Sequence, residues 1–281
     1  MCVTSGPAEI NDTRVLTYVT YGSARHQPVH YSFYQNRASE RVPGQGPNCM
    51  FLQFPTAHLE AVDGPNHTHD FMRDVTAGLP DLVYVPRMRG ATLGGLATRS
   101  ALGAPVVVEH GDYHLILCSS PSRILEALDQ VPPSRRPAHT AQLEALAAWY
   151  GEWYPDHSFV LACFNGSANP RHPIAVRYVP NNDDVVFAPG LDGHTGNVPI
   201  IGQPIVRDFY VAFAVQGQQL PISFRYQHGG FIIQPDWAPL PNLGVAGFHD
   251  NRFDAPNGDY TVAVDSLRQG ASGHELVDVL I

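Results

Sequence analysis

The stretch VVVEHGDYHLILC (106–118) decides the fold class. Two apolar runs rich in β-branched residues flank Gly111-Asp112, and a two-residue turn between such runs makes a hairpin when its first position accepts a positive φ. Centring the turn there fixes the register. His110 opposes Tyr113, Glu109 opposes His114, Val108 opposes Leu115, Val107 opposes Ile116 and Val106 opposes Leu117. Cys118 then leaves the hairpin beside Pro105, with no sulfur partner in reach. It is expected to be reduced, buried and unbridged to Cys163.

Outward from the hairpin the period changes. Ser120 reads as an N-cap with Pro121 at the first helical position, and Ile124, Leu125 and Leu128 form one face. Pro132-Pro133 ends that segment. A second helix begins near Thr140 and repeats apolar residues at Leu143, Leu146, Tyr150 and Trp153 until Pro155. Upstream, 13–21, 29–37 and 48–54 are short, β-branched and aromatic, and are separated by Gly, Pro and Ser clusters. From 157 the β pattern returns in HSFVLACF, IAVRYV, DVVFA, DFYVAFAV, PISFRY, GGFIIQ and YTVAVDSL. Between them, 63–105 holds a short helical pattern at 69–77 and then the glycine-rich GATLGGLATRSALGA, whose spacing matches no phosphate loop. The expected architecture is α+β: mainly antiparallel sheet, with a central helical pair (about 120–154) packed on one face. One domain over 1–281 is expected, the alternative being two units dividing near 132–137.

Composition narrows the function classes. Of 281 residues, 44% are hydrophobic and 15% charged, a balance that has to bury apolar surface in a folded core. The formal charge is −9, and Arg135-Arg136 between prolines is the nearest thing to a basic patch, so nucleic acid is not an expected partner. All 17 basic residues are arginine. Without lysine there is no P-loop, no kinase strand lysine and no Schiff-base amine. Cys2, Cys49, Cys118 and Cys163 lie too far apart for a zinc ribbon or a redox pair. No apolar run reaches the roughly 20 residues of a membrane span, and no charged region followed by an apolar h-region opens the chain. No membrane partner, no signal peptide and a cytoplasmic or other intracellular location are therefore expected.

Three groups of residues could carry chemistry. Cys2 follows Met1, and removal of Met1 would leave a thiol and an α-amino group in one residue, the amine serving as base for its own thiol. In this respect the opening Met1-Cys2 resembles the cysteine branch of the N-terminal-nucleophile hydrolases, which are also β-rich with a helical layer and cleave amide bonds. The Gly-Arg-Asn-x-Asp type segment of the bile-salt and penicillin-amide cleaving branch has no counterpart here. Arg14, with Asp12 beside it, and Asn165, where an oxyanion donor could follow a strand, complete that candidate set. The second group is His67, His69 and Asp70. On a strand the two imidazoles would share a face as metal ligands. His110 and His114 flank the hairpin turn, and Asp192-x-His194 sits in the glycine-rich PGLDGHTG. Asp250, Asp254 and Asp259 fail the fixed spacing of a calcium loop. The third class is non-catalytic. With 12 Tyr and 13 Phe, the chain suits a binding, structural or self-assembling protein whose partner is a second copy or another protein.

No G-x-S-x-G, G-x-G-x-x-G after a strand, or H-E-x-x-H occurs, and no cofactor is implied. The function reading is therefore a non-catalytic binding or assembly protein, the alternative being a cysteine amide hydrolase using Cys2, and the third a His/Asp metal-dependent protein.

Overall fold

The computed structural model describes residues 2–21, 27–41, 44–62, 72, 76, 79, 87–89, 103–165, 173–216, 246–269 and 277–280. In chain order the elements are β1 (Val3–Thr4), β2 (Ala8–Tyr21), β3 (Pro28–Glu40), β4 (Asn48–Phe54), β5 (Leu59–Ala61), β6 (Arg87–Arg89), β7 (Val106–His110) and β8 (Tyr113–Cys118). A short helical segment follows, with 3₁₀ turns at Pro121–Arg123 and Leu128–Gln130 around α1 (Ile124–Ala127). Then come α2 (Thr140–Trp153), β9 (Ser158–Phe164), β10 (Ile174–Tyr178), β11 (Val185–Ala188), β12 (Pro204–Ile205), β13 (Phe209–Val215), β14 (Ala246–Asp250), β15 (Ala255–Pro256), β16 (Asp259–Ala263), α3 (Val264–Arg268) and β17 (Val277–Leu280). The expected strands at 221–226 and 229–234 lie outside the described residues. So does most of 63–102.

The hairpin register is the one the sequence predicts, from Val106 against Leu117 to His110 against Tyr113. Gly111 takes φ 58° at the turn. A first sheet runs β1-β4-β9-β8-β7, antiparallel throughout. A second runs β14-β13-β2-β3-β10-β5, antiparallel except where β13 lies parallel to β2. A third, β11-β16-β17-β6, and a ribbon of β12 with β15 complete the described strands. The α+β class with mainly antiparallel sheets thus holds. The first helical segment is less regular than its apolar spacing suggests, because its only α-turn is the stretch Ile124–Ala127.

Strand alternation builds the core. On β4, Met50, Leu52 and Phe54 turn to one cluster, while Cys49 and Phe51 turn to another. On β9, Val160, Ala162 and Phe164 divide in the same way from Phe159, Leu161 and Cys163. The first cluster also takes Val15, Val19, Tyr34, Ile174, Val176 and Val211 from the second sheet, so it fills the space between two sheet faces. The second cluster takes Ile124, Leu143, Leu146 and Tyr150 from the helical segment, and Phe51 stacks on Tyr150 with ring centroids 4.9 Å apart. Truncating a buried leucine such as Leu146 there would cost about 2–5 kcal/mol.

Strand β2 is bulged between Asn11 and Arg14, and Asp12 sits there at φ 56°. A short polar side chain tolerates that region, and the extra residue lets β2 turn Arg14 back toward Asp12. All four cysteines are free and buried. Cys118 is 6% exposed, and burial pushes its thiol up to about 12. The expected absence of a Cys118–Cys163 bridge is what is seen.

Two histidines are enclosed without compensation. Neither ring nitrogen of His30 or His157 has a hydrogen-bond partner among the described residues. Burial lowers both from the usual 6.5 to about 3. Below pH 6.5 the unfolded chain therefore binds protons that the folded chain refuses, and stability falls as pH falls. Between pH 7 and 5.5, above the range in which carboxylates titrate, the two histidines together should remove about 2.5 kcal/mol, offset by about 0.8 kcal/mol that His194, raised to about 9, gains over the same interval. Urea unfolding at the two pH values checks this, and a flat profile would contradict it.

Candidate active site

The segment after Cys2 is held like one strand of a small sheet. β1 pairs with β4 on one side. On the other, Val3 bridges Gly193 in parallel sense. Gly193 N donates to Cys2 O at 3.2 Å, and Thr4 N donates to Gly193 O at 2.8 Å. Further along, Ala8 N donates to His194 O at 2.9 Å. Alternation across this pairing has a chemical result. Asp192 and His194 flank Gly193 and turn to one side, and Cys2 and Thr4 flank Val3 and turn the same way. A Cβ at Gly193 would come within 3.3 Å of Val3 Cγ1 and 3.4 Å of Pro199 Cβ, so the close approach suits glycine.

His194 Nε2 lies 2.8 Å from Asp192 Oδ1. The approach is off the line of a good hydrogen bond, which leaves an ion pair as the main interaction. The other side chain that acts electrostatically on the ring is Cys2. Burial alone would lower this imidazole; the Asp192 carboxylate and Cys2 overcome it and raise His194 to about 9. His194 is therefore an imidazolium at neutral pH, paired with a carboxylate and set beside a sulfur. The stability this raised value contributes is fully present below about 6.5 and is lost as pH rises through about 9.

Strand β3 supplies the opposite wall. Tyr34 and Asn36 share a face by their spacing of two. Asn36 Nδ2 lies 3.7 Å from Cys2 Sγ, 3.0 Å from Tyr34 Oη and 3.5 Å from Met50 Sδ. Tyr113 Oη points at Asn36 Oδ1 from 3.5 Å. Burial, and then Cys2, push the Tyr34 hydroxyl well above its ordinary value, as they do that of Tyr113. Both phenols thus remain donors. An amide N–H beside the sulfur, itself held by two phenolic hydroxyls, is a donor set that can receive negative charge forming on an acyl oxygen.

Asn48 fixes the residues just beyond the sulfur. Its Oδ1 accepts from Ser5 Oγ at 3.0 Å, Gly6 N at 3.0 Å and Cys49 N at 2.8 Å, and its Nδ2 donates to Gly6 O at 3.1 Å. Cys49 spends its thiol on Ser5 Oγ at 3.1 Å, and burial pushes it up to about 12. Among the described residues, Cys2 is the cysteine whose side chain acts on the raised His194 imidazole.

Arg14 and Asn165 are placed away from this group. Arg14 Nη2 meets Asp12 Oδ1 at 2.5 Å, its Nε donates to Thr76 Oγ1 at 3.1 Å, and its guanidinium lies 5.5 Å from the Tyr210 ring centroid. It points to the opposite face of β2 from Val15, which shares the inter-sheet core with Cys2. Asn165 is exposed, just beyond the end of β9. His67, His69 and Asp70 lie outside the described residues. No cluster of three or more His, Cys, Asp or Glu able to hold a metal occurs among the described residues. Asp250 and Asp259 are occupied by protein groups: Arg252 holds Asp250, and Gln53 and Tyr154 hold Asp259. The sequence flags Asp192-x-His194 as a pair, but its approach to Cys2 depends on pairing between segments that are far apart in the chain. Asn36 carries no signal beyond its place two residues after Tyr34.

No protein family, curated protein or solved structure matches the chain.

Proposed function

We propose that the protein is a cysteine amide hydrolase whose nucleophile is the Cys2 thiol, made active by cleavage of the Met1–Cys2 bond. The observation that carries this reading is the convergence of His194, paired with Asp192, and Asn36 on the Cys2 sulfur. Cleavage bares an α-amino group on the same residue, with an ordinary value of about 7.7–8.0, so it takes the thiol proton near neutral pH. The His194 imidazolium then sits where it stabilises a thiolate. The sulfur adds to the substrate carbonyl carbon, and the carbonyl electron pair moves to oxygen, where Asn36 Nδ2 and the Tyr34 hydroxyl donate. Collapse breaks the C–N bond, and the α-ammonium returns its proton to the leaving amine. Water then hydrolyses the thioester and restores the thiol.

Cys2 is 1% exposed in the chain that carries Met1. Under this reading the residue before it is removed before turnover. In this proposal the helical segment 121–153 is a layer on the outer face of the first sheet, steadying the β4 strand on which β1 is built. Met50 on β4 also touches Asn36.

The experiment is direct. The purified chain is treated with an aromatic nitrile that condenses with 1,2-aminothiols, and then with a panel of fluorogenic N-acyl amides. Nitrile adduct at Cys2, together with an acyl-thioester trapped there by acid quench, is the expected result. Absence of both would sink the reading. The non-catalytic alternative, self-association, draws on exposed apolar residues such as Ile200, Val206 and Phe253. A concentration-dependent molar mass in light scattering would favour it.

A further inference from the structure

The Asp192–His194 loop is held by a device that has no chemical task of its own. Asp259 is fully buried, and no cation touches it among the described residues. Five hydrogen bonds converge on its carboxylate instead. Gln53 Nε2 donates to Oδ1 at 2.8 Å and to Oδ2 at 2.9 Å. Tyr154 Oη donates to Oδ2 at 2.8 Å. Gly190 N and Leu191 N donate to Oδ1 at 2.8 and 3.0 Å. One carboxylate therefore ties β4, the residue after α2 and the start of the loop together. Bonds to a charged acceptor are among the stronger kind, and removing the acceptor would strand several buried donors at once.

Two residues earlier, Asn257 grips the next link. Asp192 N donates to Asn257 Oδ1 at 2.8 Å, and Asn257 Nδ2 donates to Asp192 O at 2.7 Å. Both backbone groups of Asp192 are thus engaged by one side chain. The stretch 257–259 is itself fixed by Asn257 N donating to Gln203 O at 2.9 Å and Gly202 N donating to Asn257 O at 2.7 Å. A Cβ at Gly190 would lie 2.7 Å from Gly258 O and 2.7 Å from Tyr260 Cδ2, so the loop crosses 258–260 in backbone contact.

We infer that Asn257 and Asp259 form a positioning clamp: Asp259 anchors the loop's entry at Gly190 and Leu191, and Asn257 sets the backbone of Asp192 so that its carboxylate meets His194 on the side that faces Cys2. Neither residue touches the sulfur; both act through the loop. The inference rests on Cys2 being the nucleophile for its functional meaning, while its geometric content stands apart from that reading.

The test is a histidine titration by nuclear magnetic resonance, with His194 assigned by the His194→Gln spectrum. The titratable groups facing His194 are Asp192 on its own loop and Cys2 from the N-terminal segment, so its midpoint reports whether the Asp192 pairing is in place. In the parent chain the midpoint is expected near 9. In Asn257→Ala it should fall by about one unit or more as the carboxylate drifts, with circular dichroism unchanged. In Asp259→Asn, which keeps an acceptor for the two loop amides, it should stay near the parent value while thermal stability drops. A parent-like midpoint in a folded Asn257→Ala chain would overturn the clamp. If that variant does not fold, hydrogen exchange of the Asp192 amide in the parent chain decides. Slow exchange supports the clamp, and exchange at the rate of an unprotected loop refutes it. Failure of Cys2 to accept an acyl group would leave both readouts intact, so the two ideas fail separately.

Discussion

Cys2→Ala is expected to abolish acyl transfer, lowering amide turnover by roughly 10³-fold or more, because the proposed nucleophile is gone. The fold should survive. The sulfur occupies one small position in the inter-sheet cluster, and the segment's backbone bonds to Gly193 and β4 remain. His194→Gln removes the imidazolium but leaves nucleophile and amine in place, so a smaller loss of about 10²-fold is expected. The pH profile separates the roles. The amine has to be neutral to accept the thiol proton, which places the acid limb near its ordinary value of about 7.7–8.0. The imidazolium is lost as pH rises through about 9, which places the alkaline limb there. Activity should therefore peak in a narrow window between them. His194→Gln should erase the alkaline limb and leave the acid one. A profile in the variant identical in shape to the parent's would remove His194 from the mechanism.

The second large effect is on stability. Arg207 and Asp250 both have fully buried side chains. Arg207 Nη1 donates to Tyr260 Oη, and its Nη2 donates to Pro256 O at 2.7 Å and Gly258 O at 3.0 Å. Asp250 accepts from Arg252 Nε at 2.7 Å, Arg252 Nη2 at 2.7 Å and Tyr260 Oη at 2.6 Å. Burial would raise the Asp250 carboxyl; Arg252, Tyr260 and Arg207 together hold it below its ordinary value. Its stabilising contribution is thus present above the unfolded carboxyl range and is lost as pH falls through the lowered value. Asp250→Ala leaves the guanidinium of Arg207 buried without its counter-charge, which should cost about 3–5 kcal/mol in urea unfolding. A cost under about 1 kcal/mol, the scale of an exposed pair, would show that the guanidinium finds water instead.

The 106–118 hairpin was legible to the residue because its register follows from one turn and period-two alternation, both local. Helix α2 was legible from Leu143, Leu146 and Tyr150 for the same reason. The extent of β2 and β3 was not. Both run further toward the N-terminus or the turn than their aromatic runs suggest, since Glu9 and Asn11 are carried into the sheet by pairing with Ser39 and Arg37. The parallel contact of β13 with β2 joins segments that share no turn. The site divides similarly. Cys2 and the Asp192-x-His194 pair each stand out by residue type, whereas their meeting depends on one parallel bridge between Val3 and Gly193. Arg14 and Asn165 stand out by type and sequence distance alone, and neither criterion specifies which face of a strand a side chain takes.

The mass of the intact purified chain shows whether the Cys2 amine is free. Cys2 can lend its own amine as a base only when that amine is free. The expected chain begins at Cys2, is lighter than the full sequence by one methionine residue, and converts in full to the nitrile adduct. A chain that retains Met1 and still lacks any adduct would contradict the proposal, because the base would then be locked in a peptide bond.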